Sequence, residues 1–149
     1  MAATASPGYP FTVFNFKVYV DQQEVGGFSE CAGLNMETDV IEYRTGAEDH
    51  TMRKIPGLKK FTNITLKRGF TKDKFLSDWR KTVIDGKTVR HSGAIELLDE
   101  NKSAVLRWNF YNAWPTKLEG PSLNAKNNEV AIETLEIAVE KLEFAPVGG

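Results

Sequence analysis

The chain has 149 residues, with 19 basic against 20 acidic side chains and a net charge of −1. That balance gives no electrostatic footprint for nucleic acid or an anionic membrane as the main partner. One cysteine, Cys31, excludes an intrachain disulfide and a cysteine-built zinc site, and a hydrophobic share of 41% is enough for one domain to fold without either.

No run reaches the ~18 consecutive apolar residues of a spanning helix. The first residues, "MAATASPGYPF", lack the basic and apolar regions of a secretory signal. The expectation is cytoplasmic synthesis without membrane anchoring, with a flexible arm over 1–10, one domain over 11–145 and a short tail over 146–149.

From Val13, "VFNFKVYVD" alternates strictly. Phe14, Phe16, Val18 and Val20 face one way and Asn15, Lys17 and Tyr19 the other, which is the period of a half-buried strand. A polar turn from Asp21 to Glu24 leads to "VGGFSECAGL", a second strand. Gly26 and Gly27 there mark a bulge or a close backbone approach, and Cys31 reads as a buried thiol. "NMETDVIEYR" is a third strand without a greasy face: Met36, Thr38, Val40, Glu42 and Arg44 share one side, Glu37, Asp39, Ile41 and Tyr43 the other. Such a pattern specifies register weakly.

"RTGAEDHTMRKIPGLKK", residues 44–60, then reads as a loop longer than the ~12–15 residues that compact domains usually leave without structure or use. "FTNITLKRGF" is a fourth strand with Ile64 and Leu66 toward the core. "TKDKFLSDWRKTV" is the one convincing helix. Phe75, Leu76, Trp79 and Val83 form its apolar stripe, Lys74, Ser77 and Lys81 point away, Thr71 is placed to cap it and Asp73 suits its positive end. Asp85 and Gly86 end it.

A hairpin follows: "GAIELLD", the turn "ENKS", then "AVLRWNFYNAWP", closed by Pro115. Residues 116–129 read as a loop. The segment "VAIETLEIAVEKLEF" alternates with one phase slip, as a bulged strand does. About seven strands and one helix, with no βαβ rhythm, predict an antiparallel β-sandwich or barrel with one flanking helix.

Catalytic chemistry is missing from this pattern. His50 and His91 fall in polar turns away from carboxylate clusters, and HExxH, CxxC, GxSxG and phosphate-cradling motifs are absent. Glu37, Asp39 and Glu42 lie close in sequence but have no base or electrophile beside them. The basic runs "RKIPGLKK" and "KRG" stand among acidic residues without an aromatic platform, so they read as mixed-charge contact surface. Trp79, Trp108 and Trp114 read as core. No catalytic residue, cofactor or metal is expected. A small domain with strands mixed on both faces leaves edges that identical copies can cover by cyclic closure.

"FSECAGLNMETDVIEYRTG", "KIPGLKKFTNITLKRG", a helix carrying "LSDW" and "WNFYNAWPTKLEGPSL" occur in an order that resembles the tail tube proteins of contractile phages and the inner tube proteins of phage-tail-like injection particles. The likeness spans about residues 11–145. It implies a structural subunit that closes with its copies into six-membered rings around one larger barrel. Rings stack into a tube inside a contractile sheath, and the cargo in the channel is protein or DNA. Partners are then the chain itself, a sheath protein and baseplate or tube-initiator proteins, within a tail or an injection particle that can be released from the cell.

In that frame the loop after "IEYR" docks on the neighbouring ring, through Glu48, Asp49, His50, Met52, Arg53, Lys54 and Ile55. Glu37, Asp39, Glu42, Glu96, Arg107 and Asn109 are the channel-lining candidates. Lys74, Ser77 and Lys81 are the sheath-facing ones. The alternatives are a monomeric ligand-binding β-barrel, which needs a continuous apolar interior, and within the family a tube-initiating or secretion-needle ring protein.

Overall fold

A computed structural model describes residues 15–44, 46, 52–126 and 130–147. The expected arm over 1–10, the start of the first strand at Val13 and Phe14, and Thr45, Glu48, Asp49 and His50 lie outside the described residues. Among the described residues ten strands and one helix follow in chain order: β1 (Asn15–Val20), β2 (Gln23–Val25), β3 (Phe28–Ala32), β4 (Met36–Tyr43), β5 (Arg53–Phe61), β6 (Ile64–Gly69), α1 (Phe75–Ile84), β7 (His91–Leu98), β8 (Ala104–Glu119), β9 (Ile132–Ala138) and β10 (Lys141–Pro146). The fold is mainly β and antiparallel with one helix, as expected.

Eight strands form one sheet in the order β2-β1-β7-β8-β9-β6-β3, with β10 also on β8. β8 turns this sheet into a sandwich. Its first half pairs with β7 and β10, its second half with β9. Between them Asn112 takes φ 53°, the left-handed region that asparagine tolerates better than most residues. The strand thus passes from one layer, β2-β1-β7-β8-β10, into the other, β8-β9-β6-β3.

The inner faces meet through Val18, Ile95, Phe110 and Leu142 of the first layer and Ile64, Leu66, Leu135 and Ile137 of the second, all at most 3% exposed. The alternation read in β1 is realised, with Val18 and Val20 buried and Phe16 packed on the core. The β1–β2 turn holds Asp21 at φ 50° and Gln22 at φ 67°, the two positive values a tight hairpin of matching twist requires. Helix α1 lies against β8, burying Leu76 and Trp79, and the Trp79 indole N–H donates to the Val89 carbonyl at 2.7 Å.

Several elements differ from the sequence reading. Residues 44–60 are not all loop: β5 begins at Arg53 and pairs with β4 along its length. The second predicted strand splits into β2 and β3 about Gly26 and Gly27. Pro115 does not end β8, which runs on to Glu119. The proline sits at a register slip, on a stretch with a strand partner on one side only, where its missing N–H leaves no ladder bond unmade. The expected phase slip, between Thr134 and Leu135, is absent: β9 runs straight through it with Glu133, Leu135 and Ile137 buried in regular alternation, because Glu133 and not Ile132 takes the core position. The chain breaks instead between β9 and β10, at Val139 and Glu140. This break lies level with the bend of β8, where the Glu140 N–H donates to the Tyr111 carbonyl at 3.1 Å. Helix α1 starts at Phe75, and the Asp73 carboxylate, not Thr71, accepts its first-turn N–H from Phe75 at 3.0 Å.

Candidate assembly surfaces

β3 and β6 pair side by side, and the chain continues both of them outward as β4 and β5 through short joints at residues 33–35 and 62–63. Gly33 makes the joint possible. Its φ is +94°, and a Cβ there would stand 2.1 Å from the Asn63 carbonyl oxygen. The Thr62 hydroxyl donates to the Gly33 carbonyl at 2.9 Å and ties the two joints together. The β4–β5 hairpin is a separate two-stranded sheet, and no other element packs substantially against it.

This arm is unusually apolar for a free ribbon. Met36, Val40, Ile41, Tyr43, Met52, Ile55 and Leu58 are 43–74% exposed. Ile41 lies opposite Ile55, and Tyr43 opposite Arg53. Charge is divided by strand: Glu37, Asp39 and Glu42 on β4, Arg53, Lys54, Lys59 and Lys60 on β5, with an Asp39–Lys60 ion pair at 3.1 Å. A lone two-stranded hairpin is marginal in water, so this one needs a surface to lie on. Of the docking residues expected from sequence, Met52, Arg53, Lys54 and Ile55 are on the arm.

The six channel candidates fall into two groups. Glu37, Asp39 and Glu42 belong to the arm. Glu96, Arg107 and Asn109 come together on the outer face of the first layer, where the Arg107 guanidinium stands 3.5 Å from Glu96 and its Nε–H donates to Asn109 Oδ1 at 2.7 Å. Tyr19 lies beside them, its phenol held above its ordinary value by desolvation first and by Glu96 second. Lys74, Ser77 and Lys81 are all exposed on α1, as their spacing predicts.

Two features were not anticipated. The outer face of the second layer carries Glu30, Lys67, Glu136, Lys117 and Glu119. Lys67 meets Glu30 at 3.6 Å, the Asn63 amide donates to Glu136 at 3.1 Å, and Lys117 pairs with Glu119, each partner's hydrogen bond raising the lysine's pKa and lowering the glutamate's. The polar positions alternating in "ITLKRG" and "IETLEIA" were the available signal.

The second feature is a buried ion pair. Arg68, read from "KRG" as contact surface, is 2% exposed and bonds through Nε to Glu133, which is 6% exposed. Asp73 stands 3.5 Å from the same guanidinium, and the Phe28 ring lies 5.4 Å beneath it. One guanidinium nitrogen, Nη2, has no hydrogen-bond partner among the described residues.

His91 is likewise not in a free polar turn. It opens β7, pairs with the Asp21 carboxylate and lies against Trp79 with ring centroids 5.1 Å apart. Cys31, read as a buried thiol, is half-buried, and that burial pushes its thiol up to about 12. Among the described residues no cluster of histidine, cysteine or carboxylate side chains is arranged to hold a metal, and no helix is long and apolar enough to cross a membrane.

Residues 12–143 match the T4-like virus tail tube protein gp19 family. The chain belongs to this family. Three solved structures show how closely the tail tube fold is kept. A chain from the PVC sheath–tube complex, an extracellular contractile injection system in its extended state, is 29% identical with TM-score 0.83, over 97% of this chain and all of that one. A chain from the PVC sheath/tube terminator is 30% identical with TM-score 0.81, covering 94% and 99%. Hcp1 from Flavobacterium johnsoniae, at 16% identity and TM-score 0.57 over 91% and 97%, shares the fold. No curated protein sequence matches the chain. This tail tube protein is a structural tube subunit.

Proposed function

We propose that six copies close side by side into a ring and that rings stack into the inner tube of a contractile particle. The observation that carries this reading is the arm, a hairpin that extends the β3–β6 pair beyond the fold and touches its own chain's core only at its root, through Phe61. The second layer supports ring closure. Its outermost strands, β3 and the second half of β8, have a strand partner on one side only. Edges of that kind pair with other edges. Four strands from each of six copies give a barrel of about 24 strands, which leaves an open channel.

The wall of that channel is then the outer face of the second layer. Four of its five charges pair within the subunit, Lys67 with Glu30 and Lys117 with Glu119, and Glu136 is held by the Asn63 amide, so cargo meets few unpaired groups to stick to. A second reading sets Glu96, Arg107 and Asn109 at the wall, favoured by their shared polar face. Charge reversal separates the two. Glu136→Lys alters cargo loading and spares assembly in the first reading, and Glu96→Lys does so in the second.

The helix face of Lys74, Ser77 and Lys81 is the proposed sheath contact. Exposed charges bind weakly and release when the sheath contracts. Replacing Lys74 and Lys81 by glutamate should reduce sheath binding in a pull-down and leave tubes unchanged; equal sheath binding would reject the contact. Synthesis in the cytoplasm, a protein or DNA cargo and initiation on a baseplate complete the proposal.

The deciding experiment is electron microscopy and mass measurement of the chain expressed with the particle's sheath and baseplate proteins. Six copies of a 16.7 kDa chain give rings of about 100 kDa that stack into tubes. A chain that stays monomeric at every concentration under those conditions overturns it.

A further inference from the structure

The arm leaves the second layer at the end where Ile64 pairs with Ile137 and Ile137 with Pro115. β6 then runs about 15 Å to the opposite end, at Arg68 and Gly69. Three apolar side chains gather there: Phe70, 54% exposed, Val130, 77%, and Ile132, 48%. The backbone holds them together, since the Phe70 N–H donates to the Ala131 carbonyl at 2.8 Å and Gly69 lies opposite Ile132. Beside them opens a cleft of about 690 Å³ bordered by Thr71, Lys72, Asp73 and Ser77. Its floor is rigid, because the buried Arg68–Glu133 pair reaches Asp73 at the helix start.

We propose that this end is the socket for the β4–β5 arm of a second copy in the next ring. The inference rests on the ring-stacking reading and names the surface that receives the arm. A contact that repeats without limit along one axis must join different patches at opposite ends of the subunit, whereas arm-to-arm pairing would stop at two rings. The arm and the Phe70 patch stand at opposite ends of the same strands. Their chemistry matches as well. Ile41, Tyr43 and Ile55 meet Phe70, Val130 and Ile132. Glu37 and Glu42 on β4, which have no ion-pair partner among the described residues, meet Lys72, which has none either.

Two variants of the full chain test this. The arm variant carries Ile41→Asp and Ile55→Asp, the socket variant Phe70→Asp and Ile132→Asp. Each alone should give single rings of about 100 kDa where wild type gives tubes. Mixed, the socket variant's intact arms should enter the arm variant's intact sockets and form paired rings of about 200 kDa that grow no further. Tubes from the socket variant alone overturn the socket. Tubes from the arm variant alone overturn the stacking reading beneath it. Rings from both without pairing on mixing place the socket elsewhere. Should the socket variant fail to form rings, Lys72→Glu tests the same surface without touching the apolar patch; Lys74 borders the sheath-facing surface and is left intact. This change should raise the concentration at which tubes grow about tenfold at low salt and less at high salt, and an unchanged threshold counts against the socket.

Discussion

Aspartate at Ile41 and Ile55 is expected to abolish tubes while rings persist. The two residues face each other across β4 and β5 and are 52% and 43% exposed, so they have much apolar area still to bury. Burying the remainder is worth about 1 kcal/mol per side chain, and two like charges placed opposite one another in a ribbon add a further cost of about 0.5 kcal/mol. In the proposed stack six arms act together at each ring-to-ring contact, so a loss of about 2–3 kcal/mol per arm becomes more than 10 kcal/mol per junction. No comparable loss falls on the monomer, because the arm meets the core only at its root, through Phe61, away from Ile41 and Ile55. Electron micrographs should show rings without tubes, with the thermal midpoint of the ring shifted little. Tubes of ordinary length would mean that the arm is not what joins rings.

That arm also shows where a single sequence stops being informative. Alternation of apolar and polar residues reports which side of a strand meets its own chain's core. It was legible in β1, and helical spacing was legible in α1, because Val18, Val20, Leu76 and Trp79 are buried within the subunit. β4 and β5 bury neither face there, so apolar and charged residues occur on both, and β5 read as loop. The order of the family motifs carried the fold where periodicity could not.

Arg68 was misread for a related reason. A charge in a core-facing position looks like surface unless its partner is known, and Glu133 is far away in sequence. The slip read between Thr134 and Leu135 has the same cause. Glu133 takes the core position and Ile132 the outer one, so the pattern hid a regular strand and gave no sign of the break between β9 and β10. Only the bend of β8 at Asn112 shows that the two pieces belong to different layers.

The buried pair yields the second large expected effect. Glu133→Ala leaves the Arg68 guanidinium, 2% exposed, without its main counter-charge, and should cost about 3–5 kcal/mol in denaturant unfolding at fixed protein concentration. Asp73 cannot fully replace the lost carboxylate, since it is half exposed and stands 3.5 Å away. A loss under about 1 kcal/mol would show that Arg68 reaches water or another acceptor readily. The double change Arg68→Met with Glu133→Leu removes both charges from the low-dielectric interior and should recover most of the stability. What the double variant does to tubes then separates two roles. If stability and tubes both return, the pair serves only to fill the end of the sandwich. If stability returns without tubes, the pair also sets the position of Phe70 and Asp73, because Phe70 is two residues on from Arg68 in the chain and Asp73 stands 3.5 Å from its guanidinium.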